Sequence, residues 1–118
     1  PEAVNEFYSN LRANLEIVNF LTLLDQFEKS ILLTESLFET HYRENYGSDI
    51  NIPDFIQSIK REIETNLDRT MSQEDIKVAI NDLIITEIFN FSISWEEDEY
   101  VQNFIAILRD ALVEKYKE

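Results

Sequence analysis

The chain has 118 residues, of which 44% are hydrophobic, and it contains one glycine, two prolines and no cysteine. That length is typical of one domain, and the apolar content excludes an intrinsically disordered chain. A formal net charge of −14 argues against binding to nucleic acid or an anionic membrane surface, because a negative field repels phosphates. No apolar run approaches the roughly 20 residues of a membrane span, and no secretion leader is evident. With no disulfides to form, we expect a cytoplasmic protein.

The first predicted helix begins near Asn5, where apolar residues recur at spacings of three and four. They are Phe7, Leu11, Leu15, Val18, Leu21 and Leu24. A second run ends at Gly47, because glycine accepts the left-handed conformation that ends a helix. It holds Leu33, Leu37, Phe38, Tyr42 and Tyr46. The two runs are either one long helix or two helices broken at Thr34-Glu35-Ser36.

The next helix has Pro53 in its first turn, where the missing N–H is tolerated. Its apolar stripe consists of Ile52, Phe55, Ile56, Ile59, Ile63 and Leu67. Ser72 and Asp75 then resemble a capping box that opens a further helix. Its apolar positions are Ile76, Ala79, Ile80, Leu83, Ile84 and Ile88. Since Ile85 and Phe89 add a second apolar side, we expect this helix to be the central one.

A capping box of Ser94 and Glu97 is predicted to open the last helix. The inward-facing residues of that helix are Val101, Phe104, Ile105, Leu108 and Leu112. Before it, 91–93 (Phe-Ser-Ile) alternates and suggests a short extended piece with no partner strand. Residues 1–118 are therefore predicted to form one all-α domain, a single antiparallel bundle of four to five helices.

Signals of catalysis are sparse. His41 is the only histidine, which rules out a zinc site with paired histidines in one chain and a Glu-x-x-His di-iron site. Phosphate loops, nucleophile elbows and calcium loops are missing. His41 and Glu44 have helical spacing, but such a pair is commonly a surface contact. We expect no enzyme activity, no cofactor and no metal.

Charge placement points to binding. No basic residue lies between Lys77 and Arg109. The acids of this window are Asp82, Glu87, Glu96, Glu97, Asp98 and Glu99. Trp95 and Tyr100 bracket the last four, and aromatic residues beside charges are typical of interfaces. Two alternatives stay open: acids at a helix start also complement its dipole, and Trp95 could cover the core.

A second, weaker acidic surface flanks Gly47 and is interrupted by Arg43. It consists of Glu39, Glu44, Asp49 and Asp54.

Three segments carry a resemblance to small acidic immunity proteins that bacteria make against nuclease toxins, of the colicin D type and the contact-dependent inhibition type. Residues 36–42 (SLFETHY) resemble the Phe-Glu-x-x-Tyr helix of that family. Residues 80–84 (INDLI), with Phe89 and Phe91, resemble its penultimate helix. Residues 96–100 (EEDEY), followed by Ile105, Leu108 and Leu112, resemble its acidic loop and closing helix.

The resemblance implies an inhibitor that covers a cationic RNase active site, with carboxylates in place of RNA phosphates. On this view Trp95, Glu96, Glu97, Asp98 and Glu99 contact the toxin, and Asp82 and Glu87 are secondary. Two alternatives remain. An acidic adaptor or secretion-chaperone-like module would have an exposed apolar groove, and a homodimer would pair the last helix with its copy.

Overall fold

In a computed structural model the described part of the chain forms six α-helices. They are α1 (Glu2–Glu16), α2 (Phe20–Leu33), α3 (Leu37–Tyr46), α4 (Ile52–Asn66), α5 (Gln73–Asn90) and α6 (Glu99–Lys115). The structure describes residues 2–33 and 37–117, with side chains described in 5–29 and 40–117. No strand occurs within those ranges, so the predicted all-α class is confirmed there. The break predicted at Thr34-Glu35-Ser36 lies outside the described residues, as do the side chains of Leu33, Leu37, Phe38 and Glu39.

Six helices exceed the predicted four to five because the first predicted helix is two helices, α1 and α2. Asn19 directly precedes α2, and its side-chain oxygen accepts a hydrogen bond from the Thr22 backbone N–H at 3.2 Å. An asparagine in this position satisfies one of the free N–H groups at a helix start. The chain turns here, so Leu21 is 81% exposed, and its predicted inward orientation was wrong.

Several predicted helix ends are confirmed. Gly47 follows α3 with φ +70°, and its N–H donates to the Arg43 carbonyl at 2.9 Å. Pro53 lies in the first turn of α4, and the Ser72 hydroxyl accepts from the Asp75 N–H at 3.1 Å at the start of α5. The residues between α5 and α6 were predicted less well, because the sequence around them contains several capping residues in a row.

The core has α2 and α6 at its centre. Helix α6 packs against α1, α2 and α5, whereas α5 packs mainly against α4 and α6. The prediction that α5 is the central helix was therefore wrong. Its inner face is buried as predicted, but Val78, Ile85 and Phe89 on its outer face are exposed.

Helices α5 and α6 run antiparallel. Near one end of the pair, the Gln73 side chain donates to the Val113 carbonyl at 3.0 Å. At the other end α5 stops in a Schellman motif, in which the Ser92 N–H bonds the Phe89 carbonyl and the Ile93 N–H bonds the Ile88 carbonyl. Ser92 takes the left-handed conformation with φ +53°, so 91–93 is a turn rather than the expected extended piece. This turn leads the chain towards the four consecutive acidic residues at 96–99.

Candidate partner-binding surface

A tight turn at 95–98 carries two of the predicted acids at its tip. The Asp98 N–H bonds the Trp95 carbonyl at 3.3 Å, and the Gln102 side chain donates to the same carbonyl at 3.1 Å. Glu97 has φ +60°, a left-handed conformation that a turn of this kind requires. Glu96 and Glu97 are therefore held away from the bundle, and both are exposed.

Asp98 is turned inward and is buried. It begins α6, and its Oδ1 accepts from the backbone N–H groups of Tyr100 and Val101 at 3.0 and 3.1 Å. Its Oδ2 accepts from His41 Nε2 at 2.9 Å and from the Tyr46 hydroxyl. The prediction that Asp98 offers its carboxylate to a partner is thereby corrected, since four donors of this chain already surround it. The predicted Ser94 cap is also corrected, because Asp98 takes that role.

These bonds change the pKa values of the groups that make them. Burial raises the pKa of Asp98, but hydrogen bonds from Tyr46, His41 and the Val101 N–H outweigh burial and hold that pKa below its usual value. The hydrogen bond to Asp98 raises the pKa of Tyr46 to about 12. The carboxylate is thus held in its ionised form beneath the acidic turn.

The same carboxylate attaches α3 to the rest of the molecule. His41 and Tyr46 lie on α3, and Tyr42 between them is buried, with its hydroxyl accepting from the Ser94 N–H at 2.9 Å. The carboxylate that His41 contacts is that of Asp98, not that of Glu44 at helical spacing. Helix α3 therefore holds both sides of the acidic turn.

Tyr100 packs into the fold with part of its side chain at the surface. Its ring is half-buried and stacks on the His41 ring at a centroid distance of 4.7 Å. The Tyr8 hydroxyl donates to the Tyr100 carbonyl, which links α1 to the start of α6. Burial raises the pKa of Tyr100 to about 12. These contacts place Tyr100 in an aromatic cluster beneath the turn.

Glu87 is also buried, with 3% of its surface exposed. Its carboxylate accepts from the Ser58 hydroxyl at 2.6 Å and from the Asn90 side chain at 3.3 Å. The prediction of Glu87 as a secondary contact is corrected by this burial, since the carboxylate joins α4 to α5. Burial of a carboxylate requires such partners, which the sequence pattern did not reveal.

The carboxylates left at the surface are those of Glu96, Glu97 and Glu99, named here the acidic edge, together with Asp82 on the outer face of α5. Ion pairs found among the described side chains involve other acids: Asp25, Asp49, Asp98 and Asp110. In the described part of the chain, arginine and lysine therefore do not neutralise the acidic edge.

Trp95 is half-buried and lies between the acidic edge and an apolar groove. The groove runs between α5 and α6, with a volume of about 200 Å³. Its apolar lining is Ile84, Ile85, Ile88, Trp95, Ile105 and Ala106. The two alternatives for Trp95 are thus combined, since one part of the ring covers the bundle and another part reaches solvent.

The second acidic surface is weaker than the sequence suggested. Asp49 pairs with Arg43 at 2.8 Å, and Asp54 accepts from the Asn51 side chain at 2.9 Å at the start of α4. Glu44 is exposed, whereas the side chain of Glu39 is outside the described range. Two of its carboxylates thus serve local structure.

Within the described residues, no three His, Cys, Asp or Glu side chains are grouped to hold a metal ion. The helices of that part are too short or too polar to cross a bilayer. Comparison of the chain with known protein families, curated proteins and solved structures found no match.

The sequence prediction missed the groove. Its signal is present in the second apolar side of α5, where Ile85 and Phe89 led to the prediction of a central helix. An exposed apolar side gives the same pattern.

Proposed function

We propose that this chain is an acidic binding protein that neutralises a basic, RNase-type toxin by covering its active site, as an immunity protein does. The observation that supports it most is the acidic edge itself. Glu96, Glu97 and Glu99 are exposed beside a half-buried tryptophan, without ion pairs among the described side chains. Such a surface favours a cationic partner.

The chemistry of an RNase site complements these groups. Lysine and arginine that hold RNA phosphates form strong, charge-assisted hydrogen bonds with carboxylates. Three carboxylates, two on the turn and one at the start of α6, can therefore occupy phosphate positions and block entry of the substrate. Exposed negative charge also accelerates encounter with a basic protein, and this rate falls as salt screens it.

Rigidity of the turn favours the same function. Asp98 holds the turn from below through donors on α3 and α6, so the backbone that carries the carboxylates loses little entropy on binding. We propose that the six helices form a single antiparallel bundle, acting in the cytoplasm, where a nuclease toxin meets RNA.

The direct test is capture of the partner by the tagged chain from cells of the source organism, followed by an RNase assay. We expect a basic protein whose nuclease activity is lost in the complex and returns when the chain is removed. A captured protein without nuclease activity, or one that stays fully active in the complex, would rule out the toxin-inhibitor proposal.

A matched pair of variants tests whether inhibition of the nuclease depends on the acidic edge or on negative charge elsewhere on the surface. Glu96→Gln, Glu97→Gln and Glu99→Gln, combined, remove three charges from the acidic edge. Glu6→Gln, Glu64→Gln and Glu114→Gln remove three from other exposed positions. We expect only the first variant to lose inhibition. Since both variants lose three charges, the difference between them reports the position of the carboxylates and not the net charge.

The α5–α6 groove favours a second candidate, the acidic adaptor. An adaptor would bind apolar segments of several proteins, with weak dependence on salt. Capture of several unrelated proteins, none of them nucleases, would favour it over the immunity function.

A further inference from the structure

The outer side of α5 carries apolar residues that no described helix covers. Val78 is 56% exposed and Phe89 is 69% exposed, with Ile85 between them. Large exposed apolar side chains arranged in one strip are typical of interaction surfaces rather than of ordinary solvated helices. Asp82 lies on the same side, since it is spaced three and seven residues before Ile85 and Phe89.

The strip borders a groove long enough for a segment of secondary structure. The α5–α6 groove continues into a second hollow of about 480 Å³, and both are lined by Ile88 and Trp95. From Asn81 to Phe89 the groove follows α5 for about 12 Å, at 1.5 Å per residue, which equals about two helical turns. A cleft between two antiparallel helices accepts the ridge of side chains of a third helix.

The charges around the groove restrict what can occupy it. Glu96 lines the second hollow beside Trp95, Asp82 lies on the outer side of α5, and Arg109 lines the groove itself. The carboxyl end of α5 adds a negative dipole near Glu96. A second copy of a chain with net charge −14, or an anionic lipid surface, would meet repulsion there.

We infer that the α5–α6 groove binds an amphipathic helix of the basic partner, with apolar side chains packed on Ile85, Phe89 and Trp95. Lysine or arginine side chains flanking that apolar face pair with Glu96 and Asp82. This inference rests on the proposed function for the cationic character of the partner, and it adds a helix as the recognised element.

Trp95 is the only tryptophan, so its fluorescence reports directly on the groove. The probe is a synthetic 18-residue peptide of leucine and lysine with all leucines on one helical face. A peptide of the same composition, shuffled so that no apolar face forms, is its control. We expect a saturable blue shift of Trp95 emission with the first peptide and at least tenfold weaker binding of the second.

Variants of the chain locate the binding. Ile85→Ser combined with Phe89→Ser should weaken binding of the amphipathic peptide at least tenfold. Leu21→Ser removes another exposed apolar residue, next to a different hollow, and should leave binding unchanged. Equal binding of the shuffled peptide, or no effect of the double variant, would overturn the inference. A dimer of the chain alone that Phe89→Ser dissociates would overturn it as well, because a second copy would then fill the groove.

Failure of this inference can be told apart from failure of the proposed function. If the acidic-edge variant loses nuclease inhibition while the Ile85/Phe89 variant keeps it, the immunity function stands and the groove inference falls. If the peptide binds as expected but the captured partner is no nuclease, the reverse holds.

Discussion

Asp98 is the residue on which the acidic turn depends. Its two oxygens accept from the start of α6 and from His41 and Tyr46 of α3. The Asp98 side chain thereby caps α6 and also joins the start of that helix to α3. Glu96 and Glu97, its exposed neighbours in sequence, make none of these four contacts.

We predict that Asp98→Ala lowers the free energy of unfolding by about 2 kcal/mol, because it removes a helix cap and leaves two side-chain donors without their acceptor. Urea unfolding followed by circular dichroism measures the change. Glu96→Ala is the control and should stay within about 0.5 kcal/mol of the parent chain, since that residue is exposed. Equal stability of the two variants would show that Asp98 has no special role.

The depressed pKa of Asp98 also predicts how stability depends on pH. Folding favours the ionised carboxyl, so its contribution is present above the unfolded pKa of about 3.9 and is lost as pH falls through the lower folded value. The stability difference between the parent chain and Asp98→Asn should hold from pH 7 to about pH 4 and shrink below that. A difference that shrinks between pH 7 and pH 5 would contradict this assignment.

At the scale of residues, the sequence predicted only in part which acidic side chains are exposed and which are buried. Glu96, Glu97 and Glu99 are exposed as a solvated run predicts, but nothing in the run marks Asp98. Its burial follows from donors more than fifty residues earlier in the chain. Glu87 was missed for the same reason, since its partner Ser58 lies on another helix.

The end of α5 determines the orientation of the acidic turn. Just past the end of α5, Ser92 takes the left-handed conformation, at a position that glycine usually occupies. The chain then folds back so that Ile93 is buried and the turn begins. Serine is strained there because its Cβ approaches the neighbouring carbonyl.

Ser92→Gly should therefore raise the free energy of unfolding, by up to about 1 kcal/mol, through relief of that strain. Gly47→Ala is the reverse change at the end of α3, where φ is +70° and an added Cβ meets no atom within 4 Å. It should lower stability by about 1 kcal/mol, for conformational reasons alone. Thermal unfolding of both variants checks the pair, and shifts of the same sign would refute the explanation.

A buried lysine fixes the corner between α1 and α2. Lys115 near the end of α6 donates to the carbonyls of Glu16 and Val18 at 2.9 and 2.6 Å. The Glu16 carbonyl ends α1 and has no partner within the helix, and the Val18 carbonyl lies in the connection to α2, so the ammonium group satisfies both.

Lys115→Met retains the apolar stem but removes these donors, and should destabilise the chain by about 1–3 kcal/mol. Hydrogen exchange should show the loss concentrated at residues 14–22. Lys117→Met is the control, because Lys117 is exposed two residues further along. Uniform loss of protection across the molecule would argue against a local role for the corner.

Element prediction succeeded where local signals were strong. Gly47, Pro53 and Ser72 marked ends that the structure confirms. The break before α2 was missed because Val18 and Leu21 continue the apolar spacing across it, while Asn19 gave the only local sign. The spacing of apolar residues along one segment cannot predict the turn between α1 and α2, because Lys115, near the other end of the sequence, stabilises that turn.

At the scale of the molecule, negative charge and exposed apolar surface meet where α5 and α6 join. The acidic edge, Trp95 and the α5–α6 groove lie at the junction of two helices, and the described ion pairs lie on other acids. Composition predicted that the electrostatic field of the chain is negative and that the fold is all-α. It could not predict the groove, because the groove depends on which side of α5 the other helices leave uncovered.

The most direct test of binding at the acidic edge is the rate at which the captured partner associates with the chain at low and high salt. For the parent chain and the Glu6/Glu64/Glu114 control, we expect the association rate to fall by at least about tenfold between 50 and 300 mM NaCl. The Glu96/Glu97/Glu99 variant should associate more slowly at 50 mM and show a clearly shallower dependence. If that variant associates as fast as the parent chain, with the same salt dependence, the acidic edge is not where the partner binds.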